Sequence, residues 1–457
     1  MIEDNKMRLT FCGGVGEVTG ANFLFENNDV KILVDCGLEQ GTKYCAPKNR
    51  APFPYIPAEV DFLFITHAHI DHTGRIPKLV KEGFRGKIYS TPETRKLAVI
   101  MLEDSMKLLE KEAIHEGLEP LYNADDVRQT FLLWETIPYH TKTDIGHGLE
   151  VFFKDAGHVL GSSMIEFTRN GKKIVFTGDL GNSPTPLLKD TEKIVDADYL
   201  VMESVYGDRN HETHEERANK LEDVIEDIVK RRGTLIIPVF SLEKTQVILY
   251  ELNQLVENDR VPQVPVFLDS PLAIKITDIY REMSQNFNDK AKADLKRDND
   301  LFAFPNFHIT TTSEESKHIL TYPNPKIILA GSGMSNGGRI VHHELNYLGD
   351  SHNTVLMIGY QSAGTLGRQI VDGVKDVKIF GEAVHIKARV EKIDGYSSHK
   401  DSEHLVQFVE DDAPVAKKVF VVMGETKSSL FLVQKLRDYL GVNAYHPKEG
   451  ESVLLDF

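Results

Sequence analysis

Residues 65 to 77 read ITHAHIDHTGRIP and place His67, His69, Asp71 and His72 within six positions. A cluster this dense constrains the fold, because imidazole and carboxylate groups are costly to bury unless something compensates them. The stretch before it, VDFLFI, is apolar and reads as a buried strand. The four residues therefore fall where a strand runs out into a loop, a position at which a rigid scaffold commonly holds functional side chains. Imidazole suits Zn²⁺, and carboxylate oxygen binds or bridges it. A single metal ion is not expected to take all four side chains of one short loop, so the cluster is expected to serve two adjacent metal ions rather than one.

Two later positions complete the set. His158 lies in DAGHVLGSS and Asp179 in FTGDLGN, each at the end of an expected strand and beside glycines that let backbone approach closely. Either one alone reads as an ordinary turn residue; together with the histidine loop they supply further nitrogen and oxygen donors.

Short apolar runs rich in aromatic and β-branched residues recur in the first part of the chain: MRLTFCGG, ANFLFE, VKILVDCG, GKIYST, LEVFFKDAGH and ADYLVMES. Their lengths favour strands, and RNGK between SSMIEFT and KIVFTGD reads as a tight hairpin turn. Helical spacing covers residues 92 to 118 and begins again near NADDVRQTFLLW. The first 205 residues thus predict a β-rich layer pair with helices outside. Beyond ESVYGDRNH the pattern alternates. HEERANKLEDVIEDIVKRR precedes GTLIIPVF, LEKTQVILYELNQLVEN precedes VPVFLDS, and PKIILAGSG and NTVLMIGY follow as buried strands. Such alternation predicts a parallel α/β sheet. From about residue 381 the β-rich style returns. The fold class is therefore α/β, with a discontinuous outer domain (1–205 and 381–457) interrupted by an α/β domain at 206–380.

In this order, HAHIDH, the GH of AGHVLGSS, GDLG, and Asp35 in the upstream LVDCG resemble the motifs of the metallo-β-lactamase superfamily. ESVYGDR, IIPVFSLEKTQVILYEL, LDSPLA, GSGMSNGGRIVHH, GYQSAGTLGR and DGYSSHKD are similar to its β-CASP nucleases, of the short bacterial and archaeal type. The resemblance covers nearly the whole chain. It implies an αββα sandwich with an inserted β-CASP domain and a two-zinc site in the cleft between them. His67, His69 and His158 would hold one zinc, Asp71 and His72 the other, with Asp179 bridging. Asp35 would orient the histidine loop from behind the ligands. Zinc supplies activated water and charge stabilisation for phosphodiester hydrolysis, with Asp71 in the reacting site. His399 of GYSSHKD would be the general acid that protonates the leaving oxygen, with Glu203 of ESVYG pairing with it to hold its orientation and favour imidazolium. On the same pattern Ser332, Gly333, Ser397 and Ser398 would neighbour substrate phosphate. For Arg339, His342 and His343 two roles stand open, phosphate binding or capping and packing.

One position departs from the family. RNA-cleaving members usually carry a histidine in a VHGE-type motif as a ligand of the second zinc, whereas this chain reads VVMGE with Met423 there. A thioether is a poor Zn²⁺ ligand beside imidazole, so the second zinc is expected to be weakly held. His446 and His404 are candidate substitutes, although each also reads as a surface histidine.

The leading reading is a zinc-dependent ribonuclease that hydrolyses single-stranded RNA as an endonuclease, a 5′ exonuclease or both, in RNA processing or decay. Two alternatives stand beside it: a DNA nuclease, favoured by the apolar residue at 423, and a weakly active RNA-binding partner subunit. The net charge of −16 would ordinarily count against a nucleic-acid partner, but bound metal ions and a local cluster of basic groups can reverse the sign within one cleft. No run of about 18 apolar residues occurs, and the start MIEDNKMRLTF lacks the pattern of a signal peptide. A cytoplasmic protein with no membrane partner is expected. Cys12, Cys36 and Cys45 have no CxxC spacing, which predicts reduced thiols rather than a disulfide framework. The last expected strand lies close to residue 457, so neither a C-terminal dimerisation domain of the ribonuclease J kind nor a separate RNA-binding module ahead of the histidine loop is expected. A homodimer is the candidate assembly.

Overall fold

A computed structural model describes residues 3, 5–41, 47–362, 364–410 and 415–457; Cys45 lies outside them. The chain divides into two compact units, one of residues 1–210 with 399–457 and one of 211–398.

The first unit holds two seven-stranded sheets. From edge to edge the first runs Ser452–Asp456, Lys6–Gly13, Asn22–Glu26, Lys31–Val34, Phe62–Phe64, Lys87–Ser90 and Trp134–Thr136. The second runs Ala444–Tyr445, Lys418–Val421, Tyr199–Met202, Lys172–Phe176, Ser163–Arg169, Glu150–Asp155 and Thr143–Asp144. Their inner faces share one core, to which the first sheet contributes Leu9, Phe25, Val34 and Phe64 and the second Val151, Phe167, Ile174 and Phe176. Phe64 meets Phe167 edge to face at 5.1 Å, and each such buried ring stabilises the pair of layers by roughly 1.5–3 kcal/mol. On the far side of the second sheet, Leu405 and Val409 of helix Ser402–Glu410 and Leu432 and Leu436 of helix Thr426–Leu440 bury against Val175, Leu200 and Val419. On the far side of the first sheet, helix Pro92–Glu116 packs on strand Trp134–Thr136 and on helix Ala124–Leu132. The expected helix at 92–118 is thus present. Thr91 caps it by accepting from the Thr94 N–H, and Gly117 ends it in the left-handed region. The RNGK hairpin is present too, with Asn170 and Gly171 both at positive φ as its turn requires.

The second unit is built on a six-stranded sheet ordered Phe307–Ile309, Val266–Asp269, Lys326–Ala330, Thr234–Pro238, Thr354–Met357 and Arg389–Lys392. Every neighbouring pair in it is parallel, as the alternation of helices and strands predicts. Residues 381–398 belong to this unit rather than to the outer one. Arg389–Lys392 pairs with Thr354–Met357, and Glu382–His385 forms a hairpin with Asp376–Ile379. Among the described residues no helix is long and apolar enough to cross a membrane. Cys12 and Cys36 are buried free thiols, each pushed up to about 12 chiefly by burial.

Candidate metal centre

The sandwich gathers its chemistry-bearing residues at one edge, just beyond the carboxyl ends of strands. Asp35 follows Lys31–Val34, the histidine loop follows Phe62–Phe64, His158 follows Glu150–Asp155, Asp179 follows Lys172–Phe176 and Glu203 follows Tyr199–Met202. The loop is clamped by main-chain hydrogen bonds. Cys36 N–H donates to His72 O at 2.8 Å, Leu38 N–H to Ile70 O at 2.9 Å and Ala21 N–H to Asp71 O at 2.9 Å. Gly37 permits this approach, because a β-carbon there would stand 1.5 Å from the Asp71 carbonyl oxygen.

His67, His69, His158 and Asp179 each offer one ligand atom, and these atoms all lie within 4.8 Å of one another. His67 Nε2 and His158 Nε2 stand 3.1 and 3.2 Å from His69 Nδ1, and 3.4 and 3.5 Å from Asp179 Oδ2. Burial lowers the pKa of His67 and holds His69 and His158 well below the ordinary histidine range. These rings are therefore neutral, and each keeps one bare nitrogen. The Asp179 carboxyl, although burial pushes it upward, is held well below the carboxylate range chiefly by His72 and His399. Three neutral imidazoles converging on a carboxylate make a donor set that fits a divalent cation with a preference for nitrogen and oxygen.

Asp35 orients His72 directly and His67 through Thr66. Its Oδ1 accepts from the Thr66 N–H at 2.9 Å, and its Oδ2 accepts from Thr66 Oγ1 at 2.8 Å and from His72 Nδ1 at 2.7 Å. Thr66 Oγ1 in turn lies 3.0 Å from His67 Nδ1. The network assigns both ring protons to Nδ1, which directs Nε2 of His67 and of His72 toward Asp179. Thr66 went unnoticed in the sequence, where its place directly before His67 was the available signal. Changing Asp35 to Asn would set an amide NH₂ against these donors, and metal affinity in chelator competition is expected to fall by about 10–100-fold.

The second half of the loop is more sparsely supplied. His72 Nε2 and Asp179 Oδ1 stand 3.5 Å apart, and neither has a hydrogen-bond partner although both are buried. Such orphaned polar atoms are costly unless a cation meets them. Burial pulls His72 down, but the Asp179 and Asp35 carboxylates together raise it well above the usual value. The Asp71 carboxyl is raised by burial, and the His72 ring opposes this. Neither Asp71 nor His72 belongs to a group of three or more ligand atoms within 4.8 Å; among the described residues the second such group is Asp179, Glu203 and His399.

Glu203, which is buried, pairs with the half-buried His399. His399 Nδ1 lies 3.1 and 3.2 Å from the two Glu203 oxygens, and Glu203 Oε1 also accepts from the Leu180 N–H at 2.6 Å. The segment carrying His399 is bridged to Gly181, and Lys400 N–H donates to Leu180 O. The His399 ring centre lies 4.6 Å from that of His158, and its side chain keeps 19% of its surface exposed.

Family models match over most of the chain: the metallo-β-lactamase superfamily at residues 15–238, the β-CASP domain at 245–370 and a Zn-dependent metallo-hydrolase RNA specificity domain at 383–447. Ribonuclease TTHA0252 of Thermus thermophilus is 33% identical over 98% of this chain and 100% of its own length. Transcription termination factor FttA of Methanosarcina mazei is 30% identical over 99% of this chain and 72% of its own length. The factor of the same name from Pyrococcus horikoshii is 31% identical over 98% and 71%. The chain is a β-CASP member of the metallo-β-lactamase superfamily. A crystal structure of an Enterococcus faecalis protein of unknown function shares the fold, with a TM-score of 0.57 at 13% identity, covering 98% of this chain and 100% of that one.

In this β-CASP chain the expected departure at position 423 has a structural counterpart. Met423 is buried in the core shared by the two sheets, with its Sδ against Gly14, where a β-carbon would come within 2.5 Å of the sulfur. Its N–H donates to Gly14 O and its carbonyl accepts from the Ser204 N–H. Among the described residues neither candidate substitute, His446 nor His404, belongs to a group of three or more ligand atoms within 4.8 Å. His446 Nδ1 lies 2.9 Å from Val421 O, and His404 Nδ1 lies 2.7 Å from Asp401 Oδ1.

Within the second unit, the Arg339 guanidinium is held by hydrogen bonds of the kind the packing role calls for. Its Nη1 donates to Asp269 Oδ1 at 2.6 Å and to Thr310 O at 3.0 Å, and its Nη2 donates to Thr311 O at 2.8 Å. His343 Nε2 donates to Asp269 Oδ2 at 2.7 Å. Burial works against ionisation of Asp269, but hydrogen bonds from His343, Ser316, Thr310 and Arg339 hold it at about 2. Ser332 Oγ donates to Asn336 Oδ1 of its own loop, and a β-carbon on Gly333 would come within 2.4 Å of the Phe240 ring. This glycine therefore answers to packing. The Ser397 N–H donates to Asp394 O.

Proposed function

We propose that this chain is a zinc-dependent ribonuclease that hydrolyses single-stranded RNA by endonucleolytic cleavage, 5′ exonucleolytic cleavage or both. The observation that carries the reading is the largely buried His67, His69, His158 and Asp179 cluster with the Glu203–His399 pair beside it. His67, His69 and His158 would hold one zinc; Asp71 and His72 would hold a second, weaker one, and Asp179 would face both. Zinc so bound supplies an activated water and stabilises charge on the phosphodiester. The chain's own residues do the rest. Asp35 and Thr66 keep His67 and His72 in the ligating tautomer. Glu203, fixed by the Leu180 N–H, orients His399 through Nδ1, so that Nε2 can give a proton to the leaving oxygen.

RNA as the substrate is supported by a relative named a ribonuclease that aligns over its full length, and by the match to an RNA specificity domain at residues 383–447. A DNA substrate rests on Met423 alone and is not favoured. The partner-subunit alternative calls for a degraded histidine loop, and every ligand-type residue of this loop is intact. Zinc-loaded protein is expected to cut labelled single-stranded RNA and to leave DNA of the same sequence intact; the reverse preference would overturn the assignment. Met423→His is expected to raise occupancy of the weaker zinc in a metal titration, by returning an imidazole to the position where the family usually has one. Unchanged occupancy would show that the side chain at 423 does not reach that site.

A further inference from the structure

In the second unit, strands Asp376–Ile379 and Glu382–His385 pair as an antiparallel hairpin closed by Phe380 and Gly381. Both turn residues have positive φ, 51° and 85°. A turn of this kind favours Asn or Asp followed by Gly, since an aromatic side chain is strained in the left-handed region. Phe380 adds nothing to the core that would offset this strain, for 61% of it is exposed. Its ring instead lies against the exposed imidazole of His342, with centres 4.6 Å apart and planes tilted by 33°. The pair is held on a rigid base. Val377, Ile379, Val384 and Ile386 of the hairpin share a core with Ile340 and Val341, at the start of the helix Ile340–Tyr347 that carries His342.

A strained, exposed aromatic on a rigid support points to a ligand, because strain that gives the fold nothing persists where function uses it. The surroundings narrow the ligand. Glu382 directly after the turn and Lys378 one ladder position further on are exposed, and Asp376 and His385 pair with each other at the far end of the hairpin, so the site is a single aromatic step on a polar hairpin and not the broad apolar patch of a protein interface. We propose that Phe380 and His342 form a stacking platform for one unpaired base of the RNA substrate. This inference rests on the ribonuclease reading and adds a binding contact to it. Base stacking on an aromatic face tolerates any sequence and needs a splayed, single-stranded nucleotide.

The test uses full-length, zinc-loaded protein and a single-stranded RNA oligonucleotide containing 2-aminopurine, with binding read from fluorescence quenching and cleavage from a labelled end. Phe380→Ala is expected to weaken binding and raise KM by at least about fivefold with kcat unchanged, and Phe380→Trp to restore both. A wild type that cleaves no RNA would overturn the ribonuclease reading itself. If the wild type cleaves RNA while Phe380→Ala and His342→Ala bind it equally well, or if Phe380→Trp fails to restore binding, the platform is refuted and the ribonuclease reading stands. Unchanged RNA affinity with a fall in sedimentation coefficient for Phe380→Ala would assign the tip to a protein contact and likewise overturn the proposal.

Discussion

Replacing Asp179 by alanine is expected to remove bound zinc and RNA cleavage together, with turnover falling by about 10³-fold or more. The size follows from what the carboxylate touches. Asp179 Oδ2 lies within 3.5 Å of Nε2 of His67 and of His158, and Oδ1 lies 3.5 Å from His72 Nε2. On the proposed assignment its loss takes one ligand from the first site and the shared ligand from the second. A metal ion contributes several kcal/mol of charge stabilisation to the reaction, and each 1.36 kcal/mol is tenfold in rate. Asp179→Asn keeps the shape while removing the charge, and separates this effect from misfolding. Zinc content per chain and cleavage of labelled RNA are measured on the same samples; turnover surviving at a tenth of the wild-type rate would contradict the assignment.

His399→Ala is expected to lower kcat by about 10²–10⁴-fold, the range for loss of a positioned proton donor, while zinc content stays at the wild-type level. The two readouts divide here because His399 Nδ1 is directed to Glu203 and stands 4.0 Å from the nearer Asp179 oxygen. Glu203→Gln should give a smaller loss of the same kind, since the amide can still accept from Leu180 yet no longer pairs with imidazolium. If zinc is lost from His399→Ala, the residue is a ligand in the Asp179, Glu203 and His399 group rather than an acid.

The cluster of His67, His69, His158 and Asp179 was legible in the sequence to the degree that it stays local. His67, His69, Asp71 and His72 occupy one loop, and His158 and Asp179 sit at strand ends marked by glycine, so residue type and position carried the inference. Glu203 and His399 are 196 positions apart, and only the resemblance to β-CASP motifs paired them. Arg339 shows the opposite limit. An arginine beside a glycine-rich loop invites a phosphate, but Asp269, 70 residues earlier, holds its guanidinium; no local pattern reports such a partner. The end of the inserted unit shifted for a related reason. Strand-like composition at 382–392 says that a strand forms but not which sheet it joins, and pairing of Arg389–Lys392 with Thr354–Met357 keeps it in the second unit. At position 423 the resemblance implied a missing ligand, and the structure adds that the methionine serves the core.

The account turns on a well-supplied first metal site and a short-handed second one. The most direct test is a zinc titration of the metal-stripped chain, read as equivalents bound per chain with their affinities, for the wild type and for His158→Ala. The account predicts one tight equivalent and one weaker equivalent in the wild type, with the tight one lost in His158→Ala. A wild type that binds no zinc, or a tight equivalent that survives removal of His158, would contradict it.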